Sequence, residues 1–170
     1  PLLEYVARYE ASANGLEATA TRSLKRTDEN SYRLSNSLEA SIAGQALANL
    51  DQASEFTIDG GRIVPLNYSY QLSGVSRASH TIFFNWDAKV ALSTEGDEGW
   101  QLQLKEGVMD QLSYQVAIRQ TLMDKTEDET SFSFGIVDGD AIEIQEYRLV
   151  GEEITSTPLG ELSTLKLEQV

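Results

Sequence analysis

MDQLSYQVAIRQTLMD, residues Met109–Asp124, carries the clearest helical pattern in the chain. Asp110 suits an N-cap, because its carboxylate can accept from the free N–H groups of a first turn. Proline is absent, and the nearby Gly107 lies before the start. At the helical period, Met109, Leu112, Val116 and Met123 share one stripe, while Tyr114, Ile118 and Leu122 share another almost opposite. A helix lying on one sheet needs a single apolar stripe. Two stripes predict burial from two sides, with the helix inside a curved sheet or under a flap. The plainer alternative is a helix packed in a groove at a sheet edge. Arg119 falls between the stripes, and either reaches solvent along its apolar stem or pairs with a buried carboxylate.

Outward from this segment, the sequence reads as strand and turn. Tyr5, Ala7 and Tyr9 alternate with charged neighbours, and Leu16, Ala18 and Ala20 alternate with Glu17, Thr19 and Thr21. Period-two alternation marks half-buried strands. Asn14-Gly15 between them is a hairpin signal, since both residues tolerate positive φ. Tyr32, Leu34 and Leu38 predict a third strand, and Phe56 and Ile58 a later one that Asp59-Gly60-Gly61 turns. Ser41–Leu50, with Gly44 inside it, reads as a loop or wide connection, a flap, or a short helix. Val64, Leu66, Tyr68, Tyr70 and Leu72 share a face, but Pro65 cannot donate to a ladder, so this strand is expected at an edge or beside a bulge.

Farther on, Ile82, Phe84 and Trp86 alternate, as do Trp100, Leu102 and Leu104, and Phe132, Phe134 and Ile136. Lys125–Glu129 reads as an exposed charged linker. Ile142, Ile144 and Glu146 share a face from which Tyr147 and Leu149 are shifted, so a bulge is expected. Gly151 is read as a turn before a short strand at Ile154–Thr157, and Pro158-Leu159-Gly160 as a tight turn. About a dozen short strands in sequential hairpins make the fold mainly β, in one domain over residues 1–170. A long antiparallel sheet must curl, split or close. One curled antiparallel sheet, an open or partly closed barrel wrapped around or packed on a central helix at about residues 109–124, is the expected architecture. A two-sheet sandwich is the alternative.

Composition sets further bounds. With 13 basic and 27 acidic residues the net charge is −14, which argues against nucleic acid or an anionic membrane as a partner. The charge would suit a basic partner, although keeping the domain soluble explains it as well. No apolar run approaches the roughly 20 residues that cross a bilayer, so no transmembrane helix is expected. Cysteine is absent, which removes disulfides, thiolate metal sites and a thiol nucleophile.

Four stretches together resemble the DUF3108 family of bacterial envelope proteins, whose function is undefined. They are YVARYEASANGLE at 5–17, PLNYSY at 65–70, MDQLSYQVAIR at 109–119 and EYRLVGEEITSTPLGELSTLKL at 146–167. The last is the most specific, and the resemblance spans essentially the whole chain. It implies a cleaved signal peptide and the periplasm of a Gram-negative bacterium. It also implies a further C-terminal strand pair beyond Val170, which this chain is expected to lack. At the level of fold, such chains are similar to the LolA and LolB lipoprotein carriers and the β-spiral envelope proteins, which carries little weight for function.

Catalytic signals are sparse. His80 is the sole histidine and stands beside an apolar strand without a local partner in sequence, so it reads as a strand-end residue. Carboxylate pairs for glycoside hydrolysis are inevitable among so many acids. Glu95, Asp97 and Glu98, like Glu127, Asp128 and Glu129, read as solvated turns, while Glu55 and Glu146 lie within strands. Asp138-Gly139-Asp140 lacks the remaining ligands of a calcium loop and reads as a hairpin turn. No glycine-rich phosphate loop precedes the helix. No catalytic residue, cofactor or metal ligand is therefore assigned.

Aromatics on inferred inward faces are the remaining feature. Tyr68, Tyr70, Phe84, Trp86, Trp100, Phe132 and Phe134, with Leu112 and Val116 of the helix, are the candidate ligand-lining residues. They would serve equally as a filled core. The expectation is a non-catalytic periplasmic envelope protein, acting as an interaction or regulatory module with an envelope protein partner. The alternative is a carrier or sensor for a lipophilic or amphipathic ligand in the concave face of the sheet. A carboxylate-based hydrolase is the weakest reading.

Overall fold

The structure, a computed structural model, describes residues 2–124 and 130–170. The linker reading of residues 125–129, with its acidic turn, lies outside the described residues. Eight strands follow one another in an antiparallel meander: β1 (Tyr5–Ala13), β2 (Leu16–Arg26), β3 (Ser31–Ile42), β4 (Gln45–Asp59), β5 (Arg62–Gly74), β6 (Ala78–Asn85), β7 (Val90–Glu95) and β8 (Glu98–Gln103). The chain then forms the short β9 (Val108–Met109) and the helix α1 (Ser113–Asp124). A second sheet follows, from β10 (Ser131–Asp138), β11 (Ala141–Thr157) and β12 (Gly160–Gln169), ordered β12-β11-β10-β9. The mainly β architecture with one helix holds, and the strands divide between two sheets rather than one. β9 pairs with β10 in parallel, because α1 is the crossover between them.

Register stacks the inward residues in rows. Leu24, Leu34, Ser54, Tyr68, Ile82 and Ser93 are successive partners across six strands, and all are buried. Two positions along, Arg22, Asn36, Gln52, Tyr70, His80 and Glu95 form a polar row. The apolar row belongs to a core that also contains Phe56, Phe84, Leu112, Val116, Ala117, Phe134, Ile136 and Val137. Tyr32 and Phe56, both fully buried, stack with ring centroids 5.9 Å apart. Helix α1 lies between β4 and β5 of the large sheet and β10 of the small one. Val116 and Ala117 are buried, and Tyr114 and Ile118 pack on the same core. Burial from two sides is therefore what the two stripes reported.

Several local expectations are corrected. The helix starts at Ser113, four residues later than read, because Val108 and Met109 are drawn into pairing with β10. Met123 is 75% exposed, so its stripe is not buried to the end, and Arg119 reaches solvent. Ser41–Leu50 is neither loop nor helix: a two-residue turn at Ala43-Gly44, both with positive φ, joins β3 directly to β4. Pro65 sits in an interior strand and not at an edge, and the bulge expected beside it is the register shift opposite Glu55 and Phe56. Gly151 is not a turn but part of a bulge in β11, which runs unbroken to Thr157.

Candidate functional site

The entry to α1 is bolted to the sheet by one carboxylate. Asp110 is fully buried, and its Oδ1 accepts from the backbone N–H of Leu112 and of Ser113, each at 2.8 Å. Its Oδ2 accepts from the Ser54 hydroxyl at 2.7 Å, and its own N–H donates to the Ser113 hydroxyl at 3.1 Å. Burial raises the Asp110 pKa, and these donors act against that rise. Both oxygens are occupied at the helix cap, so this carboxylate is structural.

Beyond the cap, polar side chains from both sheets converge. Gln111 donates to Asp138 Oδ1 at 2.7 Å, and Arg22 donates to Gln115 at 2.8 Å. Tyr68 accepts from Gln52 at 3.2 Å, and burial pushes its phenol up to about 12. His80 is buried on β6, with Nε2 hydrogen-bonded to Ser93 Oγ at 3.0 Å. Its Nδ1 lies 3.8 Å from Glu95 Oε1. Burial lowers the His80 pKa, against the opposing pull of Glu95, Asp138 and Asp110. One donor atom each from His80, Glu95 and Asp138 lie within 4.8 Å of one another. A cleft bounded by Tyr70, Ala78, Ser79 and Gln111 opens onto His80 and Glu95. Sequence reading missed this group. The sole histidine, the acidic turn at Glu95 and the Asp138-Gly139 turn were each visible, but nothing local joined them.

A larger cleft, about 970 Å³, lies between the C-terminal half of α1, the β4–β5 turn and residues 104–107. Ile63, Trp86, Leu104, Met109, Ala117 and Phe134 give it an apolar lining. Its exposed mouth carries Arg62, Lys89 and Lys105 beside Asp59, Glu106 and Asp124. Arg62 pairs with Glu106, whereas Lys89 and Lys105 have no ion-pair partner among the described residues. One wall is stiff: the Trp86 indole donates to the Pro65 carbonyl at 2.7 Å, and the Lys89 carbonyl accepts from the Leu104 N–H at 2.8 Å.

The structure separates the nine lining candidates. Trp86 and Phe134 line the large cleft, and Tyr70 lines the smaller one. Tyr68, Phe84, Leu112 and Val116 are buried in the core, and Phe132 packs against it half-buried. Trp100 is half-buried on β8. Helix α1 fills the middle of the curled sheet and leaves space to one side. Glu55 is half-buried and paired with Arg33, and Glu146 is exposed on β11.

A family model described as "Protein of unknown function (DUF3108)" matches residues 6–170. No curated protein matches the chain. A crystal structure of a beta-barrel-like protein of the domain of unknown function DUF1849, from Brucella abortus, is similar with a TM-score of 0.54. That match has 8% identity and covers 92% of this chain and 71% of the other, so it shows the fold alone. No helix among the described residues is long and apolar enough to cross a membrane.

Proposed function

The chain belongs to the DUF3108 family, and on that premise we propose that it is a non-catalytic protein of the Gram-negative periplasm that binds an amphipathic molecule. The cleft between α1 and the Trp86–Lys89 turn carries this reading. At about 970 Å³ it has the capacity of a small-molecule site, and its lining is apolar with charge confined to the mouth. Three cations and three carboxylates share that mouth, and Lys89 and Lys105 have no ion-pair partner among the described residues. An apolar body would lie against Trp86, Leu104 and Phe134, and an anionic head would meet Lys89 and Lys105. The envelope location rests on the family resemblance, and fractionation of a Gram-negative host expressing the full-length gene tests it.

Native mass spectrometry of protein purified from a periplasm tests the cleft. The expected result is an excess mass that is lost on denaturation. Thr121→Trp, which fills the cleft from the half-exposed face of α1, should abolish it. The same variant should lose the fluorescence enhancement of 1-anilinonaphthalene-8-sulfonate. A clean apo mass together with dye binding unchanged by Thr121→Trp would overturn the reading.

A second reading, an interaction module for an envelope protein partner, has its own observation. Among the described residues β12 is a sheet edge, and the β11–β12 hairpin exposes Ile154, Leu159, Leu162 and Leu165. Capture of the same periplasmic protein by the wild type, and not by Leu162→Glu, would favour it over the ligand reading.

A further inference from the structure

We propose that His80, Glu95 and Asp138 form a binding site for a divalent transition-metal ion of the zinc class, which ties the two sheets together. The donor set is mixed: one imidazole and two carboxylates, with their ligand atoms within 4.8 Å of one another. Around a tetrahedral zinc, donors about 2.0–2.2 Å from the metal stand roughly 3.3–3.6 Å apart. The 3.8 Å between His80 Nδ1 and Glu95 Oε1 is a few tenths of an ångström wider than that. The Glu95 side chain, 47% exposed, is free to close the remaining distance.

Two further features set this group apart from a chance cluster of surface acids. Only 5% of His80 is accessible, and its Nδ1, which makes no hydrogen bond among the described residues, is not a buried orphan but opens onto the cleft. That nitrogen lies toward Glu95 while Ser93 holds Nε2, the arrangement in which the second ring nitrogen orients a metal-binding imidazole. Asp138 is oriented in the same way: Gln111 occupies its Oδ1 and leaves Oδ2 free. The backbone is shaped for the approach as well. Gly139 has φ +54, and a Cβ there would be in ordinary van der Waals contact with Glu95 Oε2 at 3.4 Å, so the turn of the small sheet lies against a carboxylate of the large one. Imidazole with carboxylates suits zinc or manganese and disfavours the all-oxygen preference of calcium. Three protein donors leave a coordination position for water toward the cleft at Tyr70 and Ala78.

Because His80 is the sole histidine, its ring nitrogens give an unambiguous signal. The test is a titration of the metal-free protein with zinc chloride, followed by ¹H–¹⁵N NMR of the imidazole and by calorimetry. The expected result is one equivalent bound with a large shift at Nδ1 and a raised Tm. Glu95→Gln and Asp138→Asn, both at accessible positions that need not disturb the core, should each weaken binding by at least about tenfold. An imidazole signal unmoved by zinc, or equal affinity in both variants and wild type, would overturn the proposal.

Discussion

Ser54 and Asp110 are 56 residues apart in sequence, both fully buried, and joined by a 2.7 Å hydrogen bond. The hydroxyl belongs to the middle of β4 and the carboxylate to the N-terminus of α1, so this contact sets where the helix enters the sheet. Asp110→Ala would strip the cap from Leu112 and Ser113 and leave the Ser54 hydroxyl without its acceptor. The expected loss is about 2–4 kcal/mol, read from urea unfolding. Ser54→Ala, which removes a donor but leaves the backbone cap intact, should cost less.

The same carboxyl gives a pH dependence of defined sign. Burial raises its pKa in the folded state above the ordinary value of 3.8, so the folded protein holds this proton more tightly than the unfolded chain. The resulting stabilisation is fully present below the unfolded pKa and is lost as pH rises through the folded one. Asp110→Asn removes that titration. The stability of the wild type relative to Asp110→Asn should therefore fall as pH is raised from the unfolded pKa, then level off. Paired urea curves across that range check it, and a difference that is flat or grows with pH would contradict the direction.

Core and arm should respond very differently to truncation. Phe56 is inaccessible and stacked on Tyr32, so Phe56→Ala is expected to cost about 3–5 kcal/mol. Leu159, 94% exposed at the tip of the β11–β12 hairpin, should change stability by no more than about 0.5 kcal/mol when cut to Ala. Thermal and urea unfolding of the two variants make the comparison.

Gly74 ends β5 with φ +117, and a Cβ there would lie 2.1 Å from the Leu47 carbonyl oxygen. Gly74→Ala must displace backbone and should cost at least about 2 kcal/mol. Gly61 also has positive φ, but a Cβ on it would meet nothing within 4 Å. Gly61→Ala should therefore cost only the left-handed strain, about 1 kcal/mol. Equal losses in the two variants would show that contact with β4 is not what requires glycine at position 74.

Local pattern was enough for most of the strands. Asn14-Gly15 joins β1 to β2 with positive φ at both residues, as its dipeptide implied. The alternation at Ile82–Trp86 separated inward from outward residues before any pairing was known, whereas at Leu16–Ala20 it did so only in part, since Leu16 is 40% exposed. Pattern failed where a nonlocal partner outweighed it. Met109 carries the helical period, yet it lies outside the helix because β10 offers it and Val108 a ladder. Ala43 gave no turn signal, because alanine rarely takes positive φ, and the hairpin drives it there.

The chain by itself determined the class of the protein: many short antiparallel strands, one helix with two apolar stripes, an acidic surface and a family resemblance. These properties reside in residues a few positions apart, and a period of two or 3.6 assigns each side chain to a face. Only the tertiary structure decided which faces meet. Register places His80 in a polar row two residues above an apolar one, and the crossover through α1 brings the β10–β11 turn onto Glu95. The packing of the helix against the large sheet leaves the cleft at Trp86 and Phe134 open while filling the space around Tyr68 and Phe84. Periodicity assigns side chains to faces, but strand register, sheet twist and packing volume choose their neighbours, and those depend on residues far apart in the chain.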